Sequence, residues 1–385
     1  MPSIVDMVEI MQRLESKALH VEPRRCVMVR NRNATCRRCA EACPSGAIEL
    51  HGNTISIDSE RCFECGACST VCPTEAIVSL RPVDADLFAR VHAQQELCPG
   101  LGVVICARLA AKKRAAADKV VEVPCVGRVD TSLLARFAAE GATDIKIVDG
   151  HCKTCRYREA CKTADSVVSS ANDLFRSWGV PASVERTEEL PEAVIAASEQ
   201  EARGGVSRRS FFTDLKSSAK TFAVEAAQAT IDVELKHKKA ETLQDILKLD
   251  SKGNIPQSIP ARHMRVIDDL LSVCNPEEHA VIGGPLFSRP VIDTSACNNC
   301  GLCATFCPTG ALQKGERGEK NDVERWIEST AYRCVGCGMC VDVCLKKAIT
   351  VEAALECDRI FDEKPEVFQG VASASKISFG RNARK

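Results

Sequence analysis

Residues 297–308 read Cys297-Asn298-Asn299-Cys300-Gly301-Leu302-Cys303-Ala304-Thr305-Phe306-Cys307-Pro308. Three cysteines two residues apart, a fourth three residues later and a proline make a run in which the first three thiolates hold one [4Fe–4S] cube and the fourth reaches a neighbouring cube. The same run stands at Cys62, Cys65, Cys68, Cys72 and Pro73. Cys334, Cys337, Cys340 and Cys344 repeat it with Leu345 in place of proline. Cys36, Cys39, Cys43 and Pro44 repeat it without its leading cysteine, because Asn33 occupies that place. Cys26, ten residues before Cys36, is the candidate substitute. The alternative is that Cys26 is a buried thiol, and that the first cluster has three irons, takes a non-cysteine ligand or is absent. Zinc sites need two separated cysteine pairs, not a third cysteine at fixed spacing and a proline. The runs therefore point to iron–sulfur clusters and single-electron transfer.

The chain has 385 residues and 24 cysteines. That length suggests about two to four domains. Cysteine this dense in a short secreted chain would signal disulfides. Residues 1–20 instead mix Asp6, Glu9, Arg13, Glu15 and Lys17 with apolar residues and lack a signal-peptide core. No stretch has the apolar length of a membrane span, so a cytoplasmic protein with metal-binding thiols is expected. A net charge of −1 gives no bulk electrostatic case for nucleic acid. With 4% aromatic residues, a large conventional core is not expected, and clusters can replace part of it because metal binding and folding are coupled.

The expected organisation has five parts. Residues 20–82 form a first cluster-bearing unit, in which Ile48, Leu50, Ile55 and Ile57 alternate around a Gly52-Asn53 hairpin turn. Residues 90–188 alternate strand-like and helix-like segments, which implies a small parallel α/β sheet. Its strands are read at Gly102–Ala107, Lys119–Val126, Asp144–Val148 and, as a candidate fourth, Ala182–Val184; its helices at Arg108–Ala117, Ser132–Glu140 and Tyr157–Trp178. Residues 190–287 read as a helical linker, with an amphipathic segment at Asp214–Lys239. Residues 288–352 repeat the first unit with a longer, charged central connection, Gln313–Glu328. Residues 353–385 read as a tail.

The two terminal units resemble the bacterial two-[4Fe–4S] ferredoxin family over about 60 residues each. The resemblance implies an α+β, βαββαβ fold and low-potential electron transfer. It also implies crossed ligation. One cube would take Cys26, Cys36, Cys39 and Cys72, and a second Cys62, Cys65, Cys68 and Cys43. In the C-terminal unit one cube would take Cys297, Cys300, Cys303 and Cys344, and the other Cys334, Cys337, Cys340 and Cys307. Fifteen motif cysteines plus Cys26 then fill four cubes with none left over.

The middle segment resembles the delta subunit of methyl-viologen-reducing hydrogenases, the iron–sulfur partner of heterodisulfide reductase. The resemblance rests on Val123–Asp130, Gly141–Asp144 and Asp149–Tyr157. It implies a [2Fe–2S] cluster and electron transfer between complexes. The family's early, tightly spaced cysteine pair is replaced here by Cys98 and Cys106. The first-choice ligands are Cys125, Cys152, Cys155 and Cys161, with Cys98 and Cys106 as alternates; a domain that keeps buried thiols without a cluster stays open.

Other signals are weak. Ser207-Arg208-Arg209-Ser210-Phe211-Phe212 looks like a twin-arginine motif, but it is internal and followed by polar Thr213–Lys220, so a helix start is the better reading. Gly283-Gly284 and Gly100-x-Gly102 lack the strand–GxGxxG–helix context of a dinucleotide site. His151 is a loop histidine beside Cys152, and Cys274 and Cys357 read as buried thiols. No residue is assigned a catalytic role. The expectation is an electron-transfer subunit of anaerobic metabolism, serving redox enzyme subunits or an electron carrier protein. A reductase with its site in the middle domain, or a maturation factor, are the rivals.

Overall fold

The computed structural model describes residues 18–197, 246–250, 254–274, 281–283, 286–318, 323–356, 359–360 and 364–371. The first unit runs β1 (Leu19–Val21), α1 (Val27–Arg30), α2 (Arg38–Glu41), β2 (Ile48–His51), β3 (Thr54–Ile57), α3 (Ala67–Val71) and β4 (Ile77–Ser79). β2 and β3 pair from Ile48–Ile57 to His51–Thr54, leaving Gly52-Asn53 as the two-residue turn that the alternation predicts. β1 pairs antiparallel with β4. The helices have four or five residues, too few for hydrogen bonding alone to hold them. Between the two small sheets the apolar core is Leu19, Ile48, Ile57 and Ile77, joined by Cys68. So small a core leaves the packing to the cysteines that flank each helix.

The middle segment continues with α4 (Asp84–Leu97), β5 (Leu101–Cys106), α5 (Ala107–Ala110), β6 (Val121–Val123), α6 (Thr131–Ala139), β7 (Asp144–Val148), α7 (Cys161–Ser177) and β8 (Ser183–Thr187). Its four strands are all parallel, in the order β6-β5-β7-β8. Val103, Val104, Ile105, Ile145 and Ile147 are buried, as a parallel sheet covered on both faces requires. Asp130 caps α6, its Oδ1 accepting from Leu133 N at 3.0 Å. Gly102 lets α6 lie directly on the sheet: a Cβ there would meet Phe137 Cδ1 at 2.7 Å.

Two sequence-based expectations change here. α4 spans the boundary drawn at residue 90, because Leu87 and Val91 bury against the sheet rather than facing the first unit alone. The helix expected over Arg108–Ala117 is the single turn α5, followed by a turn that pairs Ala115 with Ile195.

Beyond β8 come α8 (Ala261–Val273), β9 (Val281–Gly283), β10 (Arg289–Ile292), α9 (Leu302–Phe306), β11 (Leu312–Arg317), β12 (Glu324–Ser329), α10 (Met339–Asp342), β13 (Ile349–Glu352), β14 (Ala354–Glu356) and β15 (Glu366–Phe368). β10 pairs with β13, and β11 with β12, so the C-terminal unit repeats the pairing of the first. The segment read as linker is not a free connector throughout. α8 buries His263, Val266, Ile267 and Leu270 and packs on α6, with Arg136 bridging to Asp269 at 2.7 Å. Part of the segment read as tail is likewise built in: β14 pairs with β9, and β15 adds a third strand beside β12. The Asp214–Lys239 helix, the Ser207–Phe212 motif, Gly284, Cys357 and residues 372–385 lie outside the described residues. Among the described residues no helix is long and apolar enough to cross a membrane.

A buried charge network joins these parts. Arg128 is fully buried and pairs with Asp84 and, at 2.8 Å, with Asp130. Arg262 of α8 donates to Asp84 Oδ2 at 2.8 Å and to the Ser69 carbonyl at 2.9 Å. Glu75, after the second run, accepts from the amides of Ala261 and Arg262 at 3.1 and 2.6 Å. Removing one partner of such a network strands a buried charge. Arg128→Met is expected to destabilise the folded protein by about 3 kcal/mol, read as a lower urea midpoint under anaerobic conditions. An unchanged midpoint would show that the network is dispensable.

Candidate metal centres

The cysteine runs share one backbone design. Glu64, Asn299 and Gly336, each just before the second cysteine of its run, have φ of 55°, 55° and 59°. Gly46, Glu75, Gly310 and Lys347, each three residues after the last cysteine, have φ between 50° and 72°. Side chains other than glycine adopt this region only where the surroundings enforce it. Lys347 holds the same turn as Gly310, so Leu345 in place of proline leaves the local geometry intact. The turn aims amides back at sulfur. Ala47 N donates to Cys43 Sγ at 3.3 Å, Ala76 N to Cys72 Sγ at 3.2 Å and Ala348 N to Cys344 Sγ at 3.3 Å. Such bonds favour thiolate and tune the potential of any cluster it binds.

The folded chain brings the motif thiols together across runs. Burial pushes Cys39 up to about 12, and Cys72, Cys26 and Cys36 lie close enough to push the same way. Cys26 is itself buried and raised to about 11; the amides of Val29 and Met28 oppose that rise, while Cys72 and Cys36 add to it. Cys68 is raised by burial and then by Cys65, Cys39, Cys43 and Cys62. In the C-terminal unit burial raises Cys303 to about 12, with Cys300, Cys297 and Cys344 beside it. Cys340 is raised by burial and by Cys337, Cys334, Cys307 and Cys303. Among the described residues no three His, Cys, Asp or Glu side chains converge where a single metal ion would sit. In a cube each thiolate binds its own iron, so the sulfurs would stand around the cluster rather than converge on one ion. Grouped in this way, the thiols would be held as thiolates by a cationic centre among them, and the all-sulfur donor set suits iron–sulfur clusters.

The middle cysteines gather at the C-terminal edge of the parallel sheet, where open α/β sheets present functional groups. Cys106 ends β5, Cys125 follows β6, and Cys152 and Cys155 lie in the loop after β7. A cavity of about 480 Å³ is lined by Cys106, Cys125, Cys152 and Cys155 together with Phe63, Glu64 and Tyr157. Burial raises Cys125 to about 12, the Gly127 amide opposes it, and Cys65, Cys106 and Cys155 lie near enough to add to it. Burial raises Cys152 to about 12 too, helped by Asp149 and opposed by Arg186, with Cys161 and Cys125 also nearby. Cys161 opens α7 and does not line the cavity. Cys98 caps α4 at the opposite end of the sheet, beside Lys119 and Asp118. Of the two alternates named from sequence, Cys106 is therefore with the group and Cys98 is apart. Its place at the end of a buried parallel strand was the available signal for Cys106.

The cavity adjoins the first unit. Phe63 and Tyr157 have ring centroids 5.1 Å apart, and the Arg156 guanidinium lies 5.0 Å from the first ring and 4.7 Å from the second. On its other side the first unit meets the C-terminal one. Arg38 Nη2 donates to the Gly336 carbonyl at 2.8 Å and Thr35 N to Asp342 Oδ2 at 2.7 Å.

Comparison with known proteins agrees with this layout. Residues 32–76 and 296–354 match the family described as 4Fe-4S dicluster domain, and residues 104–197 match methyl-viologen-reducing hydrogenase, delta subunit. The chain is 45% identical over 42 residues to a subunit of the ion-translocating oxidoreductase complex of Methanosarcina acetivorans, covering 11% of this chain and 16% of that protein. It is 38% identical over 63 residues to pyruvate synthase subunit PorD of Methanocaldococcus jannaschii, covering 16% of this chain and 64% of that one. A ferredoxin of Saccharopolyspora erythraea is 44% identical over 66 residues, 17% of this chain and 62% of its own. The chain thus spans less than two thirds of the length of each of these relatives. No solved structure matches it. The iron–sulfur domains and these likenesses support an electron-transfer role.

Cys26 and Cys98 test the grouping of thiols. Cys26→Ala is expected to convert or remove one cube while three remain, and Cys98→Ser to leave iron and sulfide unchanged, both read on anaerobically purified protein. Full iron in the Cys26 variant would make that residue a bystander.

Proposed function

We propose that the protein is a multi-cluster electron-transfer subunit relaying single electrons between a carrier such as ferredoxin and a partner redox enzyme. One observation supports the reading: in each unit a buried thiol of one run has the last cysteine of the other run among its neighbours, Cys72 beside Cys39, Cys43 beside Cys68, Cys344 beside Cys303 and Cys307 beside Cys340. Cys26, Cys36, Cys39 and Cys72 hold one [4Fe–4S] cube, and Cys62, Cys65, Cys68 and Cys43 the next. Cys334, Cys337, Cys340 and Cys307 hold a third, and Cys297, Cys300, Cys303 and Cys344 the fourth. The cavity thiols Cys106, Cys125, Cys152 and Cys155 hold a [2Fe–2S] cluster, in preference to a set containing Cys161. Bound clusters supply one-electron redox chemistry. The chain's own residues exclude water, hydrogen-bond the sulfurs and fix the order of the sites.

The order supports a relay. The middle cavity borders Cys65, the first unit borders the C-terminal one at Cys36 and Cys337, and Cys300 of the C-terminal unit is exposed. Likeness to a subunit of an oxidoreductase complex and to a pyruvate synthase subunit favours enzyme partners of that kind. A cytoplasmic location fits this role.

Four cubes need about sixteen iron per chain and the middle cluster about two more. Anaerobically purified protein should hold about that much, and show interacting [4Fe–4S]⁺ signals on reduction. Cys106→Ser and Cys152→Ser should remove a spectroscopically distinct cluster and leave the cubes, and Cys161→Ser should not. Stoichiometric zinc with little iron would overturn the reading. Full iron in the cavity variants would leave the middle segment as a docking module.

A further inference from the structure

Arg30 ends α1 at the boundary between the two cluster-bearing units and is 2% exposed. Its backbone N donates to the Cys26 carbonyl at 3.0 Å. Its guanidinium reaches across to the other unit: Nε donates to the Phe306 carbonyl at 3.1 Å and Nη2 to the Cys307 carbonyl at 3.2 Å. Nη1 donates to the carbonyls of Arg24 and Pro256, both at 2.8 Å. Among the described residues no carboxylate pairs with it. A guanidinium keeps its charge at neutral pH even when buried. A buried charge without a counter-ion is costly, and an arginine held only by neutral carbonyls is seldom tolerated. Here the missing negative charge has a source on each side. Arg30 is tied by its backbone to one predicted ligand, Cys26, and by its side chain to another, Cys307.

The surroundings make this boundary a built junction. Val27, Ala34, Met339 and Val343 form one buried cluster, with Phe306, Cys36 and Cys337 against it. Cys337 is raised by burial and by neighbouring thiols that include Cys36 of the other unit. Charged groups in a water-excluded site interact far more strongly than at a surface.

We propose that Arg30 is a positioning residue for electron transfer between the two units, holding the Cys26 and Cys307 sites together and stabilising, through its uncompensated charge, the reduced state of the two inner cubes. This rests on the electron-transfer reading above. The physical sense is fixed: reduction adds one negative charge to a cube, so a nearby buried cation favours it, and loss of the cation lowers the potential. No proton need move.

The test is a redox titration, followed by electron paramagnetic resonance, of full-length Arg30→Gln and Arg30→Lys after anaerobic reconstitution. Two of the four cubes in Arg30→Gln should be about tenfold less reduced at a given potential, a shift of about 59 mV for a one-electron couple. The two outer cubes should titrate as in the wild type. Arg30→Lys keeps the charge but cannot reach all four carbonyls, so it should shift the same two cubes in the same direction by less. A merely structural role would change iron content or unfolding but leave the potentials of the loaded protein alone. If Arg30→Gln fails to hold iron, the lysine variant alone decides. Wild-type potentials in every variant that retains full iron would overturn the proposal. Wild-type protein without iron would instead defeat the electron-transfer reading.

Discussion

In each terminal unit the last thiol of one cysteine run stands with the leading thiols of the other, and the fold is arranged around that exchange. Cys72 lies with Cys26, Cys36 and Cys39; Cys43 lies with Cys62, Cys65 and Cys68. To bring this about the chain must turn sharply after each run. That is why Glu75 and Lys347 accept a left-handed backbone at places where the other runs have glycine. Strands of three to six residues and one-turn helices would not hold such turns by themselves. The closing interaction is between sulfur and whatever lies among the sulfurs. Burial makes these thiols reluctant to lose protons, and a cationic cluster bound among them would make their grouping as thiolates favourable.

The second constraint is that the sites share one scaffold. The core of the parallel sheet takes in Leu87 from α4, Val266 and Leu270 from α8, and Phe287, Leu355 and Ile360 from segments beside the C-terminal unit. Arg128, Asp84, Asp130 and Arg262 fasten the same elements through charge. This network lies behind the second run: Gly66, next to Cys65, packs on Arg128 so closely that a Cβ would stand 2.5 Å from its Cδ. The middle cavity, the first unit and the C-terminal unit thereby share one packed scaffold, which suits the proposed relay.

The four runs made the cysteine chemistry legible in the sequence, and alternation around Gly52-Asn53 and the valine-rich segments gave the hairpin and the parallel sheet. These are local signals, written in spacing and periodicity. Less legible was what depends on contacts distant in sequence. α4 has polar residues through much of its length, and its buried side, Leu87 and Val91, makes sense only against a sheet formed later in the chain. Cys106 looked equivalent to Cys98 because both precede or end the same strand; only the direction of the parallel sheet separates them. Glu366–Phe368 has no periodicity long enough to read, and it becomes a strand because β12 offers a free edge. The meeting of Cys36 with Cys337 is invisible in sequence, since about 300 residues separate them.

The proposed relay requires one continuous series of clusters: the middle cavity, the two sites of the first unit, and the two of the C-terminal unit with the Cys307–Cys340 site innermost. Iron anomalous diffraction from anaerobically grown crystals of the full-length protein tests it most directly. Four cube-sized iron peaks in unbroken succession are expected, the inner two flanking Arg30, with a smaller peak among Cys106, Cys125, Cys152 and Cys155. Iron peaks of the two terminal units lying far apart, with no adjacent pair at Arg30, would contradict it.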